Sequence, residues 1–204
     1  MSKVSATLSL TAETIAIGTE LLIGGRSDSN SLFLADELGK LGIAVRFKSV
    51  VGDEQQDIVM AIHTALKRSH VVVMTGGLGP TVDDRTREAV AQATGHRLGR
   101  RKEALEGMTA RLAQWGRTAS AAQLRQAMIP SGATVLKNPV GSAPGFCLTW
   151  KKALIISLPG VPGEMKEMMQ QEGLPLLRAA LESSGRSSQS PYMEIGRASC
   201  RERV

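Results

Sequence analysis

Two cysteines, three histidines and an aromatic content of 3% are what this 204-residue sequence has least of. Cys147 and Cys200 have no partners at zinc-site spacing, and His63, His70 and His96 are scattered without ligand spacing, so no zinc centre is indicated. Aromatic scarcity also bears on the net charge of +6, which by itself would suggest a nucleic-acid partner. Single-strand binders need stacking platforms and duplex readers need a recognisable helix or ribbon motif, and neither is visible, so nucleic acid is set aside. No apolar run approaches the roughly 20 residues of a membrane span. Met1 to Thr11 has neither a sustained apolar segment nor a signal-cleavage pattern, so no membrane partner and a cytoplasmic location are expected.

What is present fits one soluble globular domain: 42% hydrophobic and 22% charged residues, over a length that buries one good core. Strand-like and helix-like segments alternate, the pattern of helices covering a largely parallel sheet. Strands are expected at Glu13 to Gly18, Ile43 to Val51 and Val71 to Met74, the last continuously apolar as in a strand buried on both faces. Helices are expected at Asp28 to Leu41, Asp53 to Ser69, Asp83 to Thr94 and Arg101 to Trp115, where Leu105, Met108, Leu112 and Trp115 share one stripe. A further helix is expected at Ser120 to Met128, stopped by Pro130. Short strands follow at Thr134 to Lys137, Phe146 to Trp150 and Ala153 to Leu158, then a helix from Val161 to Gln171 whose Met165, Met168 and Met169 read as packing. The fold class expected is three-layer α/β/α with a mostly parallel, mixed central sheet.

Between the apolar strand and the next helix lies Thr75-Gly76-Gly77-Leu78-Gly79-Pro80-Thr81-Val82-Asp83-Asp84-Arg85-Thr86. Glycines let backbone N–H groups approach an anion, and the following helix offers unsatisfied N–H groups and the positive end of its dipole. Adjacent carboxylates would repel a phosphate unless a divalent cation lay between, so the segment indicates a metal-assisted nucleotide or phosphoester site. It has neither the Lys-Ser/Thr ending of a P-loop nor the dinucleotide spacing. Competing structural roles exist: Thr81 to Asp84 fits a capping box, Asp53 with Gln56 fits another, and an acid at Glu164 is favoured by the dipole of its own helix. Asp28 and Asn30 read mainly as a helix start.

The loop resembles the signature of the MoaB/Mog (molybdopterin-binding) domain in its CinA version. Three further stretches agree: Gly18-Thr19-Glu20-Leu21-Leu22-Ile23-Gly24-Gly25 with Asp28-Ser29-Asn30, then Asn138-Pro139-Val140-Gly141-Ser142-Ala143-Pro144-Gly145-Phe146, then Leu158-Pro159-Gly160-Val161-Pro162-Gly163-Glu164-Met165. The resemblance implies a MoaB/Mog-like fold and functional acids at Asp84 and Asp53. It implies a metal-dependent hydrolase of a nucleotide diphosphate such as ADP-ribose. Asp84 and Asp53 would be catalytic and, with Glu20 and Asp83, would hold the divalent metal, expected to be Mg²⁺. Gly76, Gly77, Gly79, Thr81, Asn138, Gly141 and Gly145 would bind the phosphate or nucleotide. Asp84→Asn is expected to abolish turnover while leaving the fold largely intact, Asn being an acceptable turn or cap residue. Two other readings stand beside it: a molybdopterin-binding, adenylylating enzyme using the same pocket, and a non-catalytic ligand-binding module of a nicotinamide-nucleotide amidase protein. The small-molecule partner is thus a nucleotide or a pterin. Related domains are often dimers or trimers, so the resemblance brings in a homo-oligomer without any sequence feature of its own.

Residues 1–11 are read as an N-terminal extension, 12–172 as the MoaB/Mog-like domain, and 173–193 as a truncated linker or the start of a second domain, since CinA-type chains usually continue there. Residues 194–204 resemble the translated read-through of a common sequencing-library adapter and are set aside as an artefact.

Overall fold

The computed structural model describes residues 10–24 and 26–183; the extension before residue 10, Gly25 and everything after Ser183, including the adapter-like tail, lie outside. Strands β1 (Thr11–Ile17), β2 (Ala44–Val51) and β3 (Val71–Thr75) precede a small antiparallel pair, β4 (Leu98–Arg100) with β5 (Met128–Pro130). β6 (Thr134–Leu136), β7 (Gly145–Trp150) and β8 (Ala153–Leu158) complete the set. The main sheet has the order β2-β1-β3-β8-β7-β6. β1 pairs in parallel with both β2 and β3, and β3 with β8, whereas β7 is antiparallel to its two neighbours. The sheet is therefore mostly parallel but mixed, as expected, and four carboxyl ends open along one edge.

Every residue of β3 is buried, and its alternation sorts two cores. Val72 and Met74 face Ile58 and Ile62 of α2 (Gln55–Arg68) and Val90 of α3 (Thr86–Thr94). Val71 and Val73 face Leu34 and Leu38 of α1 (Ser29–Lys40), with Met165 and Met168 of α6 (Pro162–Met168). Each fully buried side chain of this size contributes about 1.5–3 kcal/mol, so the layers are fixed by burial on both faces of one sheet. The methionines pack as expected. α7 (Leu174–Ser183) also places Leu174, Leu177 and Leu181 in the second core, so the domain runs beyond the expected boundary at residue 172.

Two helices, α4 (Lys102–Gln114) and α5 (Ala121–Leu124), lie between the small strands, and α5 opens on a complete capping box of Ser120 and Gln123. The expected helix over Ser120 to Met128 is thus cut short. A 3₁₀ turn at Arg125–Ala127 leads straight into β5, where Pro130 closes a strand rather than stopping a helix. On β1, the buried Glu13 accepts two 2.8 Å bonds from the Arg68 guanidinium and one of 2.7 Å from the Ser49 hydroxyl, which satisfies its charge at the end of the sheet away from the loops. No helix among the described residues is long and apolar enough to cross a membrane.

Candidate functional site

The loops after β1, β2, β3 and β8 enclose a cleft of about 700 Å³, within the range of small-molecule sites. Main chain forms its floor. Gly76 N–H donates to the Leu158 carbonyl at 3.0 Å, and a Cβ on Gly76 would lie 2.1 Å from the Ile17 carbonyl oxygen. Gly160 packs against Gly76 with room for only a tight Cβ, 3.3 Å from its Cα. The ends of β1, β3 and β8 are thus joined without intervening side chains. At Gly77, φ is +65° and a Cβ would fall 2.2 Å from the Thr86 hydroxyl, so both backbone direction and space require glycine.

That close packing uses two of the amides expected to bind phosphate. Gly76 N–H is taken by Leu158, and Gly79 N–H by Asp84 Oδ1 at 2.8 Å. Among the described residues, the N–H groups of Gly77 and Leu78 have no protein acceptor and remain for a ligand. Arg87, buried beneath the loop, donates to the Leu78 and Gly79 carbonyls at 2.8 Å each and fixes the direction in which those peptides point. Burial pulls its guanidinium below the ordinary arginine range, while the Glu88 and Asp84 carboxylates act in the opposite direction.

Asp84 is more deeply engaged than a free metal ligand. Oδ1 accepts the Gly79 amide, and Oδ2 accepts the Thr81 N–H at 2.8 Å and the Thr81 hydroxyl at 2.6 Å. The bond back to Thr81 N–H is one half of the anticipated box, but it closes a turn: α3 begins only at Thr86, after an Arg85 that supplies no side-chain cap. Asp53 is not a cap either. Its Oδ2 accepts the N–H (2.9 Å) and hydroxyl (2.7 Å) of Thr19, tying the loop after β2 to the turn after β1, and its Oδ1 has no donor among the described residues. Asp28 caps α1 through Ser31 N–H at 2.9 Å, and Asn30 donates to the Gly160 carbonyl at 2.8 Å.

Among the described residues, Glu20, Asp53, Asp83, Asp84 and Glu164 line the cleft together with a single cation, Arg26. Among the described residues no three acidic, cysteine or histidine side chains converge as a metal cage, so the four expected ligands share the cleft without forming one cluster. Glu20 and Asp83 accept no hydrogen bond from the described protein and, with Asp53 Oδ1 and Glu164 Oε1, are the oxygens left for a cation. Mg²⁺ commonly uses one or two carboxylates, completing its shell with water and substrate phosphate, so this donor set fits.

Three expected binding residues lie elsewhere. Gly145 is buried in β7, where a Cβ would meet the Ser157 carbonyl oxygen at 2.6 Å, so its smallness serves strand packing rather than a ligand. Asn138 shapes its own turn: Oδ1 accepts Val140 and Gly141 N–H, and Nδ2 donates to the Ala143 carbonyl and to Glu164 Oε2 at 2.6 Å. Asn138 and Gly141 border an adjoining cavity of about 590 Å³ that meets the cleft at Ser142. Arg26, Arg87, Trp115 and Gln126 were not singled out for the site from sequence. For Arg87 a signal existed, its place one turn after Asp84. The histidines stay apart: His63 is bonded to the Ala93 carbonyl, His70 to the Thr11 hydroxyl and His96 to the Thr94 hydroxyl.

A family profile described as a probable molybdopterin binding domain matches residues 13–179. The chain belongs to that family. Within it, the chain is 33% identical to the protein CinA of Thermoplasma acidophilum, a crystal structure of unknown function; the match covers 86% of this chain and 98% of that one, with a TM-score of 0.74. It is 45% identical over 174 residues to a CinA-like protein of Picosynechococcus, covering 83% of this chain and 41% of the relative. The chain thus spans about two fifths of the length of the curated relatives it matches. The molybdopterin biosynthesis enzyme MoaB of Thermus thermophilus shares the fold at 22% identity, with a TM-score of 0.60 over 88% of this chain. The MoaB/Mog-like architecture read from the sequence is therefore the observed one.

Proposed function

We propose that this CinA-type domain hydrolyses a nucleotide diphosphate such as ADP-ribose with the help of a divalent cation. One observation carries the reading: five carboxylates and one guanidinium surround a main-chain floor that still offers two free N–H donors. Carboxylates in that excess repel a diphosphate by Coulomb interaction unless a cation offsets them. The amides of Gly77 and Leu78 orient the diphosphate; Thr86, whose hydroxyl and N–H donate to the Gly76 and Gly77 carbonyls, holds those two peptides, and Arg87 anchors the next stretch of the loop. Glu20 and Asp53 hold the cation, with Asp83 at the rim; Asp84 keeps the loop closed around Thr81. A bound divalent ion supplies charge stabilisation and lowers the pKa of water. The reaction balances as addition of water across the P–O–P bridge, giving AMP and ribose 5-phosphate.

The test is AMP release from ADP-ribose by the purified protein with Mg²⁺ and with EDTA. Metal-dependent release supports the proposal; binding without turnover points to a ligand-binding module. The family description favours a second reading, adenylylation of molybdopterin in the same cleft, which transfer of an adenylyl group to that pterin would support.

A further inference from the structure

Trp115 stands out among the six aromatic residues of the chain. It follows the last turn of α4, lines the cleft, and remains 46% exposed, whereas Met108 and Leu112 of the same stripe are buried. Among the described residues its indole N–H has no acceptor. The other tryptophan behaves differently: Trp150 lies outside the cleft, donates its indole N–H to the Thr94 carbonyl at 3.1 Å, and is covered by Lys151. A half-exposed indole is costly to leave in water and is a large, rigid contact surface. Beside the main-chain floor the cleft also carries apolar lining, including Val161, which is 56% exposed. Phosphate amides at the base and an aromatic face on the wall are complementary to a ligand with an anionic end and a flat heterocyclic end.

We propose that Trp115 is the stacking platform for the heterocycle of the ligand whose phosphates lie on the Gly77–Leu78 amides. This inference rests on the phosphate reading of the cleft and extends it to a substrate class: a phosphorylated purine or pteridine rather than a simple phosphate ester. Stacking on an aromatic side chain is tolerant of ring identity, so the platform fixes the class and not the particular base.

The experiment uses both single-tryptophan variants and three probes with Mg²⁺: ADP-ribose, a pterin phosphate and inorganic pyrophosphate. Trp150→Phe leaves Trp115 as the sole reporter. A ring-bearing probe should quench its emission, and pyrophosphate should raise the melting temperature without quenching; which of the two ring-bearing probes quenches at lower concentration separates nucleotide from pterin. Trp115→Ala should weaken the ring-bearing ligand about tenfold and leave pyrophosphate unchanged, while Trp115→Phe should stay within about threefold of wild type. Equal affinity of wild type and Trp115→Ala for the ring-bearing probes, with pyrophosphate still bound, overturns the platform alone. Failure of all three probes to stabilise the wild-type protein overturns the phosphate site and the platform together.

Discussion

Replacing Asp84 by Asn changes one atom and removes the one group that accepts at both ends of the clasp. In the native loop the carboxylate receives three hydrogen bonds, from Gly79 N–H, Thr81 N–H and the Thr81 hydroxyl. An amide accepts on one oxygen only. If that oxygen faces Gly79, the NH₂ group confronts the Thr81 N–H, donor against donor; if the amide turns over, Gly79 is the loser. One backbone bond is lost in either orientation and the survivor is no longer charge-assisted. Hydrogen bonds to charged groups are worth about 1.5–3 kcal/mol, and Thr81 is exposed enough for water to replace part of the loss, so a cost of about 2 kcal/mol follows. For a chain of this size that corresponds to a fall in melting temperature of about 4–8 °C. Thermal unfolding followed by circular dichroism reads it directly, and amide hydrogen exchange at Gly79 and Thr81 should accelerate about thirtyfold, the same free energy expressed locally. A variant melting within about 1 °C of wild type, with unchanged protection at those two amides, refutes the clasp. A largely intact fold is expected from Asn as an acceptable turn or cap residue; Asp84 is in the turn, but there it accepts at both carboxylate oxygens, which an amide cannot do.

Gly77→Ala should cost about 2 kcal/mol or more through its positive φ and the clash with Thr86, lowering the urea midpoint by about 1 M; an unchanged midpoint would show that the loop relaxes freely. Arg87→Met leaves the Gly79 carbonyl without its donor and the Leu78 carbonyl with Gln126 Nε2 alone, at 3.2 Å, and should destabilise by about 2–3 kcal/mol while weakening Mg²⁺–pyrophosphate stabilisation; calorimetry showing full binding in a folded Arg87→Met protein contradicts the positioning role. Burial pushes the Cys147 thiol up to about 12 from 9.0, so in a Cys200→Ser background it should resist thiol reagents at pH 8 until the protein unfolds. Because the folded thiol titrates higher than the unfolded one, this contribution to stability is intact below pH 9.0 and is lost as pH rises toward about 12. Urea midpoints of Cys147 and Cys147→Ala proteins, compared between pH 8 and 10.5, should diverge in slope, and parallel slopes would defeat the linkage.

Much of the fold was legible because its signals are local. The apolar run at Val71 to Met74 announced a doubly covered strand, and α1, α2 and α4 lie within two residues of their expected bounds. β4 and β5 were not legible: three-residue strands offer almost no periodicity, and Met128-Ile129-Pro130 follows a helical pattern that tertiary pairing with Leu98 to Arg100 overrides. At the site, sequence put Glu20, Asp53, Asp83 and Asp84 at neighbouring strand ends, and the structure places all four in one cleft. What each carboxylate does there depends on partners distant in sequence, such as Thr19 for Asp53, 34 residues away. Trp115 shows the same limit at helix scale: its spacing matches Met108 and Leu112, but the helix ends at Gln114, so the last member of the stripe meets solvent instead of core.

A binding surface paved with peptide groups has little to mutate. Since a side chain on Gly76 would collide with the Ile17 carbonyl and one on Gly77 with the Thr86 hydroxyl, ligand preference in this scaffold cannot be retuned from below. Variation that alters what is accepted must come from the surrounding walls, at positions such as Trp115 and Val161, which can diverge between members or be redesigned while the base stays the same.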